Sequence, residues 1–144
     1  MYPIASVALA FSALLTPGTL QTNELINPQP FNQAQTVEEY VRDYFADAPV
    51  MVAVAKCESQ FRQSDKDGKI LKNPKSTAIG TFQIMASIHQ TPAAEKLGLD
   101  ITTIEGNAAY ARYLYEKKGT QPWNASKACW GKTEEAKEHF AKAN

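Results

Sequence analysis

Residues 49–59 read Pro-Val-Met-Val-Ala-Val-Ala-Lys-Cys-Glu-Ser, and this run constrains the fold more than any other stretch of the chain. Asp47 and Pro49 signal a helix start, because proline's preset φ suits the first helical turn. Residues 50–55 are all apolar, and a helix apolar all round is a buried helix. The rest of the chain must therefore wrap around it. At 144 residues there is enough for one domain, which should bury about two-thirds of the surface of the unfolded chain. With 44% apolar and 21% charged residues the composition is ordinary globular, so the core needs no metal or dense disulfide framework.

Ahead of this helix, residues 1–20 hold an apolar run over 4–15 that stops at Thr16-Pro17-Gly18, too short to span a bilayer. The segment is a candidate signal peptide. It lacks the usual basic start and a clean small-x-small cleavage site, so a loosely docked N-terminus is the alternative. Residues 21–35, rich in Asn, Gln, Pro and Thr, read as a linker. Thr36-Val37-Glu38-Glu39 is a capping-box pattern, followed at helical spacing by Tyr40, Val41, Tyr44 and Phe45, and marks the start of a domain over 36–130.

Residues 63–76 are polar and turn-rich around Asp67-Gly68, which predicts a hairpin or ordered loop and places any small sheet there. Gly80-Thr81-Phe82-Gln83-Ile84 is expected to open a third helix, and residues 92–97 a short fourth one stopped by Gly98. Thr102-Thr103-Ile104-Glu105 offers a second capping box before a helix over 107–118 that Gly119 ends. Pro122 starts a further short helix through Cys129 and Trp130, and 131–144 reads as a charged tail or peripheral helix. The predicted class is mainly α, within α+β, with a small hairpin beside a substrate cleft.

Fifteen basic residues balance fifteen acidic ones, so the whole chain lacks the positive field that drives non-specific nucleic-acid binding. No Lys or Arg precedes Arg42, which leaves the folded part mildly basic. Cys57 and Cys129 suit one disulfide in an oxidising compartment, and two buried thiols are the alternative. A bridge between them would contribute roughly 4 kcal/mol in the chain-entropy model, less any strain.

A helix advances about 100° per residue, which sets Met51, Val54, Ala55, Glu58 and Phe61 along one side. Glu58 then stands among apolar neighbours. Desolvation disfavours its charged form and moves its pKa toward the range where it can donate a proton near neutral pH, as a general acid on a glycosidic oxygen must. The plain alternative is a helix-terminal carboxylate in water or paired with Lys56 or Arg62.

Glu58-Ser59-Gln60-Phe61, then Ala78-Ile79-Gly80-Thr81-Phe82-Gln83-Ile84, then Asn107 with Tyr113-Leu114, follow one another in the order and approximate spacing of a known pattern. In these residues the chain resembles the lytic transglycosylases, which share part of the pattern with goose-type lysozymes. The resemblance spans residues 50–130 and implies a lysozyme-like fold, with peptidoglycan glycan strands as the substrate. It makes Glu58 the catalytic acid and base, and Ser59, Gln83 and Tyr113 substrate-binding residues. Gly80 would permit close backbone approach, and Gln83 would offer a donor and an acceptor to an N-acetyl group, unless it is merely a surface amide.

The mechanism so implied uses one carboxylate. Glu58 protonates the bridging oxygen between N-acetylmuramic acid and N-acetylglucosamine, and then takes the proton of the sugar's own C6 hydroxyl to leave a 1,6-anhydro end. An ordinary inverting or retaining hydrolase uses two carboxylates, for which Asp65 and Asp67 are the candidates in the following loop. A muramidase, and a non-catalytic glycan-binding or virion module, are therefore the alternatives. The resemblance also implies an exported protein working alone or with a cell-wall or secretion apparatus.

No cofactor or metal is expected. Asp65-Lys66-Asp67-Gly68 begins like a calcium loop but has Ser76 where the closing glutamate belongs, and His89 and His139 stand far apart. Phe82, Tyr110, Tyr113, Tyr115, Trp123 and Trp130 are candidates for a sugar platform, although most aromatic residues are core by default. Tyr113 is assigned to glycan and the tryptophans to packing, Trp130 over the Cys129 link. The chain departs from the family pattern in two places. The step from Asn107 to Tyr113-Leu114 is one residue short, and Pro122-Trp123-Asn124-Ala125-Ser126 with Cys129-Trp130 stands where an Ala-x-Tyr-Asn-Ala-Gly motif belongs.

Overall fold

A computed structural model describes residues 26–32 and 34–142; the candidate signal over 1–20 lies outside them. Helix α1, Val37–Tyr44, starts as its sequence requires. The Thr36 hydroxyl accepts from the Glu39 amide at 3.2 Å, and the Glu39 carboxylate accepts from the Thr36 amide at 2.7 Å. The Thr36 amide, and its hydroxyl donating to the same carboxylate oxygen at 2.8 Å, hold the Glu39 carboxyl below its ordinary range.

Helix α2, Pro49–Ser59, is the centre of the molecule, with Val50, Met51, Val54 and Ala55 fully enclosed. Each such valine or methionine contributes roughly 1.5–3 kcal/mol on leaving water. Around α2 pack α1, a 3-10 turn Gln121–Ser126, α5 Lys127–Trp130 and α6 Glu134–Lys142. The chain is thus mainly helical with one small hairpin, and among the described residues no helix is long and apolar enough to cross a membrane.

Segments on both sides of 36–130 pack against it, the later one as the peripheral helix that was one of its two readings. Phe31, assigned to the linker, packs against the core, donates its amide to Glu105 at 3.2 Å and meets the Tyr40 ring edge-on at 5.7 Å. At the other end α6 lies against α2, with Ala136 buried and Phe140 stacked on Trp130. Of its apolar residues Ala136 is buried, while Phe140 is 39% exposed and keeps one ring face toward Trp130.

The sheet lies later than 63–76. Strands β1, Ala78–Ile79, and β2, Ile84–Met85, pair antiparallel with Ile79 opposite Ile84. Residues 63–76 form an ordered loop, with isolated bridges Ser64↔Ile70 across the Asp67-Gly68 turn and Lys72↔Ile79 to β1. Helix α3 correspondingly starts at Ala86, not at Gly80, and runs unbroken through Pro92 to Leu97. Gly80 at φ 72 and Gln83 at φ 49 occupy left-handed backbone, so the segment turns back on itself instead of coiling. Pro92 removes one helical donor opposite Ile88, a residue 58% exposed, where water can serve the freed carbonyl.

Helix α4, Ile104–Lys118, is capped by Thr103, whose hydroxyl accepts from the Gly106 amide at 3.0 Å. The expected reciprocal box is absent because the cap is Thr103, one residue later than Thr102, which puts Gly106 at the third helical position; the Glu105 carboxylate accepts from the Phe31 amide instead. Arg112 of α4 is 1% exposed and clamps the corner between α1 and α2. It donates to both Asp47 carboxylate oxygens at 2.6 and 3.1 Å and to the Tyr44 carbonyl at 2.8 Å, with its guanidinium 4.5 Å over the Phe45 ring.

Candidate active site

The helical run of α2 ends at Ser59, because Gln60 and Phe61 both take left-handed backbone, at φ 57 and 59. Two consecutive non-glycine residues in that region carry a conformational cost that the surroundings must hold in place. Ser59 is part of that support. It is 3% exposed, its hydroxyl donates to the Ala55 carbonyl at 3.2 Å and accepts from the Arg62 amide at 3.1 Å, and Arg62 Nε returns to the Ser59 carbonyl at 2.9 Å. Ser59, expected among the substrate-binding residues, is buried and holds the turn beside Glu58.

The left-handed exit turns the chain away and leaves Glu58 half-buried at the end of the central helix. Its neighbour Cys57 is bonded to Cys129, closing 72 residues of chain with 6.0 Å between the Cα atoms. That bridge brings the 121–130 segment onto the end of α2. There the Ser126 hydroxyl lies 2.6 Å from Glu58 Oε1 and 3.1 Å from the Trp123 carbonyl.

Burial raises the pKa of Glu58, and the Ser126 hydrogen bond opposes this more weakly. Neither Lys56 nor Arg62 pairs with it, and among the described residues Glu58 enters no ion pair. The helix-end carboxylate in a salt bridge is therefore not what the chain builds. A serine is a versatile neighbour, since its hydroxyl can donate to a carboxylate or accept from a carboxylic acid. With Glu58 ionised, the Ser126 proton points to Oε1. With Glu58 protonated, that proton can turn to the Trp123 carbonyl and leave a lone pair for the acid.

Across the 3-10 turn stands the segment 80–83, and two buried amides shape it. Gln63 Oε1 accepts from the Thr81 amide at 2.9 Å and the Thr81 hydroxyl at 2.8 Å, while its Nε2 donates to the Thr102 carbonyl at 2.9 Å. Asn107 Oδ1 accepts from the Phe82 amide at 2.9 Å, and its Nδ2 donates to the Ile79 and Ile101 carbonyls at 3.2 and 3.0 Å. A side chain at Gly80 would meet the Asn107 amide at 2.5 Å, so that glycine is demanded by space as well as by its φ. The Trp123 indole N–H then donates to the Phe82 carbonyl at 3.0 Å. Through that bond the 121–126 turn touches both the Gln83 segment and Glu58.

Gln83 is half-buried, and its Nε2 already donates to the Gly80 carbonyl at 2.9 Å. One of its two amide protons is used there, which leaves the other proton and the carbonyl oxygen for a ligand. Tyr113 lines a groove between α3 and α4, its ring 5.5 Å from that of Tyr110 and with Lys117 Nζ 5.9 Å from its centre. Among the described residues no hydrogen bond or ring contact joins it to Glu58.

Asp65, a candidate second carboxylate, accepts from the Asp67 and Lys69 amides at 2.9 and 3.0 Å and so shapes its own loop, while Asp67 is exposed there. Both tryptophans are core, and Trp130 donates its indole N–H to the Trp123 carbonyl at 2.9 Å. Among the described residues no group of three or more His, Cys, Asp or Glu is arranged to hold a metal ion.

Sequence reasoning missed Ser126, Gln63 and Arg112. A signal for Ser126 was present: if Cys57 joins Cys129, the chain neighbours Glu58 and Ser126 must meet. Gln63 and Arg112 carry no local signal, since their partners are distant in the chain. Compared with protein-family models, with curated proteins and with solved structures, the chain matches none.

Proposed function

We propose that the chain is a lytic transglycosylase of peptidoglycan, with Glu58 as its single proton-transferring carboxylate. The observation that carries this reading is the setting of Glu58: half-buried, raised in pKa, free of ion pairs among the described residues, and hydrogen-bonded to a hydroxyl able to follow both of its protonation states. Its sequence context, which resembles that family, supplies the substrate.

In the proposed reaction Glu58 gives its proton to the oxygen linking N-acetylmuramic acid to N-acetylglucosamine. The bond from that oxygen to the muramic C1 breaks, and the neighbouring acetamido group steadies the cationic carbon. The C6 hydroxyl of the same sugar then bonds to C1 and returns a proton to the carboxylate, so no water is consumed. Ser126 donates to the ionised carboxylate between the two transfers. The Gln83 carbonyl oxygen is the acceptor offered to a sugar amide. The Cys57–Cys129 bridge fits an oxidising compartment, and so an exported protein.

Mass spectrometry of purified peptidoglycan incubated with the wild-type chain and with Glu58→Gln tests the reading. Anhydromuropeptides from the wild type alone are expected. Reducing ends would replace transglycosylation by hydrolysis, and an absence of product from both proteins would replace the enzyme by a binding module.

A further inference from the structure

A groove of about 440 Å³ runs between α3 and α4, and the function proposed for Glu58 leaves it without a role. Its floor is aromatic: the His89, Tyr110 and Tyr113 rings follow one another at 5.3 and 5.5 Å, with His89 Nδ1 3.0 Å from the Tyr110 hydroxyl. Burial and the nearby Lys118 both lower the pKa of His89, which favours a neutral ring. The Tyr113 hydroxyl makes no hydrogen bond to the described residues.

The rim is cationic. Lys96, Lys117 and Lys118 line the groove, all three are exposed, and none is in an ion pair among the described residues. No Asp or Glu lines it, and Glu116 on the same helix is turned to Arg112 at 3.6 Å. Unanswered like charges at the edge of an aromatic trough favour an anionic ligand with flat or apolar parts.

We propose that this groove holds the carboxylate-bearing peptide stem of a peptidoglycan strand, laid over Tyr110 and Tyr113 with its carboxylates met by Lys96, Lys117 and Lys118. The inference rests on the function proposed above and names the part of the substrate that this surface reads. In such a strand the muramic lactyl carboxylate is taken up in the amide that joins the stem, so the sugars carry no charge. The charge lies on the peptide, and the lysines have nothing to answer on a glycan whose lactyl carboxylates are held as amides. The groove is also continuous in the chain with the Gln83 segment, because α3 follows directly on β2 and His89 stands on its first turn.

The test uses the full chain carrying Glu58→Gln, so that binding is read without cleavage, against glycan strands with and without their peptides, the latter stripped by an amidase and then capped as simple amides at the lactyl carboxylates this frees, so that they carry no charge. Fluorescence anisotropy should show tighter binding to the peptide-bearing strands. The triple variant Lys96→Glu/Lys117→Glu/Lys118→Glu should weaken that binding about tenfold or more, leave stripped strands within about twofold, and flatten the salt dependence. Because the lysines are exposed, folding should survive, and a Lys→Gln triple should give an intermediate loss. Equal binding of both strand types, or equal loss on both, overturns the groove. Absence of binding by Glu58→Gln while the wild type still releases product overturns the groove alone. Preferential binding with no product from the wild type overturns the enzyme reading alone.

Discussion

Arg112 and Glu58 are both ionisable side chains on core helices, and they are treated in opposite ways. The guanidinium is sealed at 1% exposure and answered by two carboxylate oxygens, a carbonyl and an aromatic face. The carboxylate is half-buried, with one hydroxyl as its hydrogen-bond partner among the described residues. The Arg112 Nε has no partner among the described residues, but a charge enclosed and paired with a carboxylate in this way serves to hold elements together. A carboxylate desolvated but incompletely answered keeps its proton affinity high and keeps an oxygen available, which is what acid–base chemistry needs.

The contrast breaks first at Glu58. Glu58→Gln should lower product release by roughly 10²–10⁴-fold while leaving the chain folded, measured by muropeptide analysis beside thermal melting. Its stability should also differ in sign from a structural loss. A carboxyl whose folded pKa is raised supports the fold below its unfolded pKa, and that support is lost as pH rises through the folded value. The Gln variant lacks this loss, so its melting temperature should gain on the wild type as pH climbs through that range.

Next comes the bridge that joins the two halves of the site. Cys57→Ser/Cys129→Ser should cost about 4 kcal/mol in urea unfolding, in the chain-entropy model for so long a loop, and should lower activity per folded molecule by releasing Ser126. Asp47→Ala should cost about 2–3 kcal/mol, less than the usual figure for a fully buried pair because the Asp47 side chain is 55% exposed. Activity per folded molecule should hold in that variant. A loss of activity with stability intact would erase the distinction between the two charges.

Ser126→Ala should give the smallest effect. Removing a single hydrogen bond lowers kcat by roughly fivefold and costs little stability. Because the Ser126 bond lowers the Glu58 pKa, its loss should raise that pKa further and move the alkaline limb of the pH–rate profile to higher pH. An unmoved limb would remove Ser126 from the proton transfer.

Much of this arrangement was legible where local chemistry governs. Pro49 and the apolar run after it marked α2 and its burial, Thr36 and Glu39 marked the start of α1, and Gly98 and Gly119 marked two helix ends. Legibility failed at segment 80–83, which carries residues that tolerate a helix. Its left-handed turn exists because Asn107 and Gln63 bind its backbone from outside the segment. At α6 legibility was partial: a peripheral helix was one of two readings of 131–144, and the packing of Ala136 and of Phe140 beside Trp130 lies outside what a run of charged residues reveals.

By itself the sequence determined that a wholly apolar helix must lie at the centre and that Glu58 must stand at its end, because burial and helix period follow from residue order alone. Which groups meet Glu58 was decided only by the tertiary structure. Ser126 reaches it, while Tyr113 and the two loop aspartates share no hydrogen bond with it. The physical reason is range: helix caps and apolar periodicity act over a few residues, whereas the partners of Glu58, Arg112 and Asn107 come from distant parts of the chain and meet only once the core has closed around α2.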